Sequence, residues 1–231
     1  MDKRWPVAAP ELEALQRKLG EAAPDPWRPE GQIRIGGSFV CFSRGLTAPG
    51  QVGDPAWAAA VNMAGRRTIA VSQAEGVATA PYVPGFLAAR EGPLLEAAVT
   101  GLSEIPDVLL VNATGRDHPR RAGLALHLGW ALDLPTVGVT HRPLLARGEP
   151  PGPWAGSHSP LWIGAEQVGW WLRSRTEARP IAVSPGWRTD LKTALEVVVA
   201  AVVEARTPEP IRQARHLARQ ARARQSRQET R

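Results

Sequence analysis

Pro81-Tyr82-Val83-Pro84-Gly85-Phe86-Leu87-Ala88-Ala89-Arg90-Glu91 is the stretch whose residue types could do chemistry. Two prolines bracket an aromatic residue, and each fixes its own φ near −65°. Each also pushes the residue before it toward an extended conformation. Tyr82, the sole tyrosine of the chain, therefore belongs to a stiff, extended, exposed loop. Gly85 lets another backbone or a ligand come close. Glu91 follows at the start of an expected helix. A rigid aromatic wedge beside a carboxylate suits work on a nucleic-acid base, where a side chain fills the gap left by an extruded base. Farther along, His118-Pro119-Arg120-Arg121 offers two guanidiniums whose planar forks match phosphate oxygens. The alternative for this second stretch is a helix opening, with Pro119 in the first turn and the arginines solvated.

The Pro81–Glu91 stretch resembles the wedge motif of the endonuclease V family, nucleases that nick DNA or RNA near deaminated adenine. The resemblance covers roughly residues 30 to 220. Asp107–Val111 followed by Gly115–Arg121 resembles the family's central strand and His-Pro-Arg-Arg loop. Leu134–Val139 resembles its next strand, and Ser184–Arg188 with Thr193–Leu195 its last strand-to-helix turn. It implies a ribonuclease H-like α/β fold, a mixed sheet flanked by helices. It assigns the base-reading surface to Pro81, Tyr82, Val83, Pro84, Gly85 and Leu87, and a nucleic-acid groove to His118, Arg120 and Arg121.

The family's cluster of carboxylates serves two metal ions. Mg²⁺ takes oxygen ligands and stabilises the attacking and leaving oxygens of phosphoryl displacement. Of four acidic positions this chain keeps Glu91. The others fall on Phe39, Asn112 and Lys192, while Thr114 and Trp187 stand where the family has histidines. Phe39 offers no ligand atom, Asn112 no charge, and Lys192 brings a cation. The Lys192 ammonium is expected to pair with Glu91 in place of the metal. A register one residue off would put Ser38 or Asp190 at a lost position. No metal site and no cofactor are expected, with Mg²⁺ required if the chain cleaves. Three functions follow: a catalytically inactive homologue that binds DNA or RNA, deaminated or unpaired; an active metal-dependent endonuclease at inosine or deoxyinosine; or a structural module that binds protein.

Elements must position these residues. A helix over 10–20, with Leu12, Leu15 and Leu19 on one face, precedes a Pro-rich connector. Ile33–Phe42, Val52–Ala64 and Arg67–Gly76 read as an antiparallel meander with a turn at Gly65-Arg66. Residues 90–103 read as a helix, and Val108–Val111 as a buried parallel strand. A helix over 119–132, a strand over 136–139, strands within 160–173 and 180–184, and a helix over 189–205 complete the pattern. The expected organisation is an N-terminal helix and connector (1–30), one domain (31–220) and a basic tail (221–231). In the Arg206–Arg231 segment, Ile211, Ala214, Leu217 or Ala218, and Ala221 recur at helical spacing. Its first part should therefore dock, and its eight arginines could meet nucleic acid or simply solvent.

The 231 residues, 43% hydrophobic, suffice for one core, and the net charge of +6 favours an anionic partner. The single Cys41 reads as a core residue and permits no internal disulfide, which fits a reducing, cytoplasmic setting. No run approaches the ~20 apolar residues that span a membrane. Trp170-Trp171 should point to opposite faces of a strand, one into the core and one outward.

Overall fold

The computed structural model describes residues 4–44 and 50–228. One eight-stranded mixed sheet organises the chain. In chain order the strands are β1 (Arg34–Phe42), β2 (Pro55–Ala64), β3 (Arg67–Val77), β4 (Val108–Val111), β5 (Thr136–Thr140), β6 (His158–Ile163), β7 (Glu166–Leu172) and β8 (Ile181–Pro185). Their spatial order is β3-β2-β1-β4-β5-β8-β7-β6. Only β1, β4 and β5 run parallel, and the two flanking hairpin systems are antiparallel. The expected ribonuclease H-like α/β architecture is what forms.

Five helices cover the two faces: α1 (Ala9–Glu21), α2 (Leu87–Thr100), α3 (Leu124–Leu132), α4 (Leu191–Ala201) and α5 (Glu209–Gln228). The four residues of β4 show why the layers form. Leu109 and Val111 join Leu95, Ala98, Leu124 and Leu128 of α2 and α3. Val108 and Leu110 join Val197 and Val198 of α4 on the other side. All four are buried, as a parallel strand with helices on both faces requires.

The final helix reaches farther than its composition suggests. Ile211, Ala214, Ala218 and Ala221 are all buried and lie on β1 and β2. Close approach is possible because Gly37 has no side chain; a Cβ there would stand 2.3 Å from the Pro210 carbonyl carbon. Helix α5 therefore crosses the boundary expected at residue 220, and residues 229–231 of the expected tail lie outside the described residues. Two further expectations are revised. Helix α3 starts at Leu124, so Pro119 opens no helix. Trp170 and Trp171 do face opposite ways, but both are half-buried: the indole N–H groups donate to Leu191 O (2.9 Å) and Gly148 O (3.2 Å).

Candidate nucleic-acid interface

The C-terminal ends of β1, β4 and β5 converge. Register pairs Ser38 with Val111 and Val111 with Gly138, so Phe39 and Asn112 follow side by side on neighbouring strands. Helix α2 approaches this edge with its first turn, and the Pro81–Phe86 loop arches over it.

The loop is held by backbone and side chains together. Tyr82 N–H donates to Gly50 O at 2.7 Å, and Phe86 N–H to Val83 O at 3.0 Å. Gly85 has φ +82°, a conformation that costs a residue with a Cβ. Its carbonyl accepts from Gln16 Nε2 (3.1 Å) and Arg120 Nη2 (3.2 Å), and His118 Nε2 lies 3.0 Å away. So braced, the loop leaves Tyr82 51% exposed and Val83 42% exposed. Beneath it lies a cavity of about 210 Å³, lined among others by Tyr82, Gly85, Ala88, Asn112, His118 and Thr140.

Arg90 fixes the base of the loop. Its buried guanidinium donates to Ala80 O (2.9 Å), Gln51 O (2.8 Å) and Asp54 Oδ2 (2.7 Å), and stacks 4.1 Å over the Phe42 ring. Pro93 sits inside α2 and cannot supply the N–H that Ala89 O would accept. The Thr79 hydroxyl donates to that carbonyl instead.

His118, Arg120 and Arg121, expected at a nucleic-acid groove, each have partners within the chain. Arg120 is largely buried: Nε donates to Gln16 Oε1 at 2.7 Å, Nη1 lies 3.5 Å from Glu13, and the guanidinium covers Phe86 at 4.8 Å. Arg121 donates to Glu166 Oε2 at 2.6 Å and to His118 O at 3.1 Å. Burial pushes the His118 imidazole down to about 4, so the ring is neutral at neutral pH. Through the Gly85 carbonyl, His118 and Arg120 brace the wedge. Neighbouring Asp117 does similar work unannounced by any sequence signal beyond its position. Its buried carboxylate accepts from the N–H groups of Leu144 (2.6 Å), Leu145 (2.9 Å) and Ala146 (2.8 Å), which ties down the loop after β5.

The acidic positions do not assemble a metal centre. Glu91 lies one turn into α2, and among the described residues no hydrogen bond or ion pair reaches its carboxyl. Burial raises its pKa to about 8, with only the charge of Arg90 pulling the other way. Lys192 overturns the expected pairing. It stands on an outward-facing turn of α4, its side chain 82% exposed, 3.9 Å from Glu196. The position aligned with the last acid therefore does not enter the site. Asp190 offers no rescue: it caps α4 by accepting from Thr193 N (2.8 Å) and pairs with Arg28. Ser38 is fully buried, and its hydroxyl has no partner. Phe39 packs toward α5 under the Arg215 guanidinium, 5.1 Å from the ring centre. Trp187 packs against Leu126 of α3 and Leu15 and Leu19 of α1. Among the described residues no group of three or more His, Cys, Asp or Glu converges to hold a metal. One carboxyl, an amide and a phenyl ring do not make a Mg²⁺ donor set.

A family description, endonuclease V, matches residues 43–216. The chain belongs to the endonuclease V family. It is 38% identical over 221 residues to the endonuclease V of Streptomyces avermitilis, covering 94% of this chain and 93% of that one. It is 46% identical over 144 residues to that of Methanopyrus kandleri, covering 62% of each, and it spans 58% of the Xanthomonas axonopodis protein. The crystal structure of the Streptomyces avermitilis endonuclease V superposes with a TM-score of 0.86 at 36% identity, covering 96% of both chains. The catalytic domain of human endonuclease V gives 0.82 at 30% identity, covering 96% of this chain and 98% of that one. An endonuclease V from Ciona intestinalis, solved with DNA containing an inosine followed by a ribo-adenosine, shares the fold at 22% identity and TM-score 0.71, covering 92% of this chain and 96% of that one. No helix among the described residues is long and apolar enough to cross a membrane.

Proposed function

We propose that this endonuclease V family member binds DNA or RNA at an unpaired or deaminated base and does not cut it. Supporting the binding half is the exposed Tyr82 on a loop pinned through Gly85, above a cavity of about 210 Å³. A flipped base would enter that cavity, with Tyr82, Val83 and Pro84 filling the vacated stack and Gly85, Leu87 and Asn112 lining the entrance. Supporting the inactive half is the donor set: Glu91 has no acid beside it at 39 or 112, and Lys192 turns to solvent. Divalent cations have no assigned role in this reading. The single buried cysteine suits a reducing compartment such as the cytoplasm.

The test is an inosine-containing strand incubated with purified protein, with and without Mg²⁺ or Mn²⁺, scored for nicking and for retention. Retention without nicking is the expected result. Metal-dependent nicking that disappears in Glu91→Ala would establish an active nuclease instead. Tyr82→Ala should lose the preference for the inosine strand, since stacking is worth about 1–3 kcal/mol per base. Its stability should hardly change, because the ring is half in solvent. A variant that keeps the preference would reduce the wedge to architecture.

A further inference from the structure

Two arginines, one on α5 and one just before it, bury an Nε that has no partner among the described residues. Arg215 of α5 lies over Phe39 of β1, the position at which the resemblance places an acid. Among the described residues its guanidinium makes no hydrogen bond and no ion pair, and its Nε is buried without a partner. Arg206 enters from the segment before α5. Its Nη2 donates to Pro180 O at 2.7 Å, while its Nε is likewise buried and unpartnered. His141, just past β5, lies near enough to feel both arginines, and its pKa falls through burial and then through their charges. Arg219, one turn beyond Arg215, is exposed and adds its charge to the same neighbourhood. No carboxylate appears among the groups acting on Arg215 or His141.

Cations placed together without a counter-charge repel, and they hold a matching anion strongly. Guanidinium forks fit phosphate oxygens in pairs. Phe39 is one strand, ~4.8 Å, from Asn112, and Asn112 lines the cavity under Tyr82. Arg215 therefore stands over the strand next to the one that ends at that cavity.

We propose that Arg215, with Arg219 one turn along α5, holds a nucleic-acid phosphate without metal beside Phe39, where the resemblance places a lost acid. This rests on the nucleic-acid reading above for the identity of the ligand. Fixed positive charge there would bind the phosphodiester without supplying an activated water.

The full chain in EDTA provides the test. An inosine-containing single strand is titrated by fluorescence anisotropy at several salt concentrations, and inorganic pyrophosphate is titrated by calorimetry. In Arg215→Gln, oligonucleotide affinity should fall about tenfold and the salt slope by about one unit. Pyrophosphate binding should disappear, and Arg215→Lys should restore part of both. Where Arg215→Gln lowers the melting temperature, Arg219→Gln, at an exposed position, should still flatten the salt slope. Oligonucleotide binding unchanged in both Gln variants, with the same slope, overturns the phosphate site and leaves the wedge reading standing. Pyrophosphate bound by the wild type and lost in Arg215→Gln, with no oligonucleotide bound, supports the anion site and overturns the nucleic-acid reading. Neither ligand bound by the wild type overturns both.

Discussion

Glu91→Gln keeps the shape of the side chain and removes its ability to ionise. In the folded chain Glu91 titrates at about 8 because burial disfavours the carboxylate, against 4.5 for an ordinary glutamate. Below pH 4.5 both folded and unfolded chains carry the proton, and the wild type and Glu91→Gln should be equally stable. Between 4.5 and about 8 the unfolded chain loses its proton while the folded chain keeps it, so wild-type stability drains away as pH rises. Above 8 the loss is complete and constant. Each tenfold bias in protonation is worth about 1.4 kcal/mol, which sets a ceiling near 5 kcal/mol. Because the residue is only half-buried, about 2–4 kcal/mol is the figure to expect. Urea unfolding of both proteins at pH 4.5, 6 and 8.5 reads it directly. Glu91→Gln should gain stability over wild type steadily across that range, and 10 mM Mg²⁺ should leave the wild-type curve where it was. Equal stability at pH 8.5, or a Mg²⁺-dependent rise in the wild type that Glu91→Gln lacks, would refute the picture of a neutral, unligated carboxyl.

Two further substitutions separate the brace from the surface. Arg120→Ala removes charge-assisted bonds to Gln16 and Gly85, so stability should fall by about 2–3 kcal/mol in chemical denaturation. If Arg120 stays committed to Gln16 and Gly85, the salt slope of nucleic-acid binding should be unchanged; a slope reduced by one would show that it meets a phosphate. Lys192→Ala loses only an exposed pair with Glu196 and should shift stability by less than about 0.5 kcal/mol. A loss of several kcal/mol would mean that its ammonium has a buried partner after all.

Most of the frame was readable in the sequence because periodicity reports burial. Val108–Val111 announced a strand covered on both faces, and Leu12, Leu15 and Leu19 a helix stripe. What failed were the distances between side chains far apart in sequence. The Lys192–Glu91 pairing assumed that a position aligned with an acid must face the site, but α4 turns residue 192 to solvent. Arg120 and Arg121 looked like open guanidiniums because a motif shows charge and not partners; Gln16, Glu166 and the Gly85 carbonyl lie 104, 45 and 35 residues away. Helix α3 begins five residues later than Pro119 suggested, because Arg121 takes φ +56° and breaks the turn there. Arg215 lies in the part of the tail whose spacing announced a docked helix, but that spacing says nothing of where its guanidinium goes.

The seating of α5 on β1 and β2 also sets an order of assembly. Trp57, Val61 and Met63 are sealed by Ala214, Ala218 and Ala221, side chains synthesised some hundred and fifty residues later. Until that helix arrives the first hairpin presents a bare apolar sheet face to water, and such long-range closures come late in folding. While the nascent chain waits, its exposed strands are open to pairing with other chains. The alanine stripe of the last helix thus acts as the lid on a surface that is most vulnerable to aggregation during synthesis.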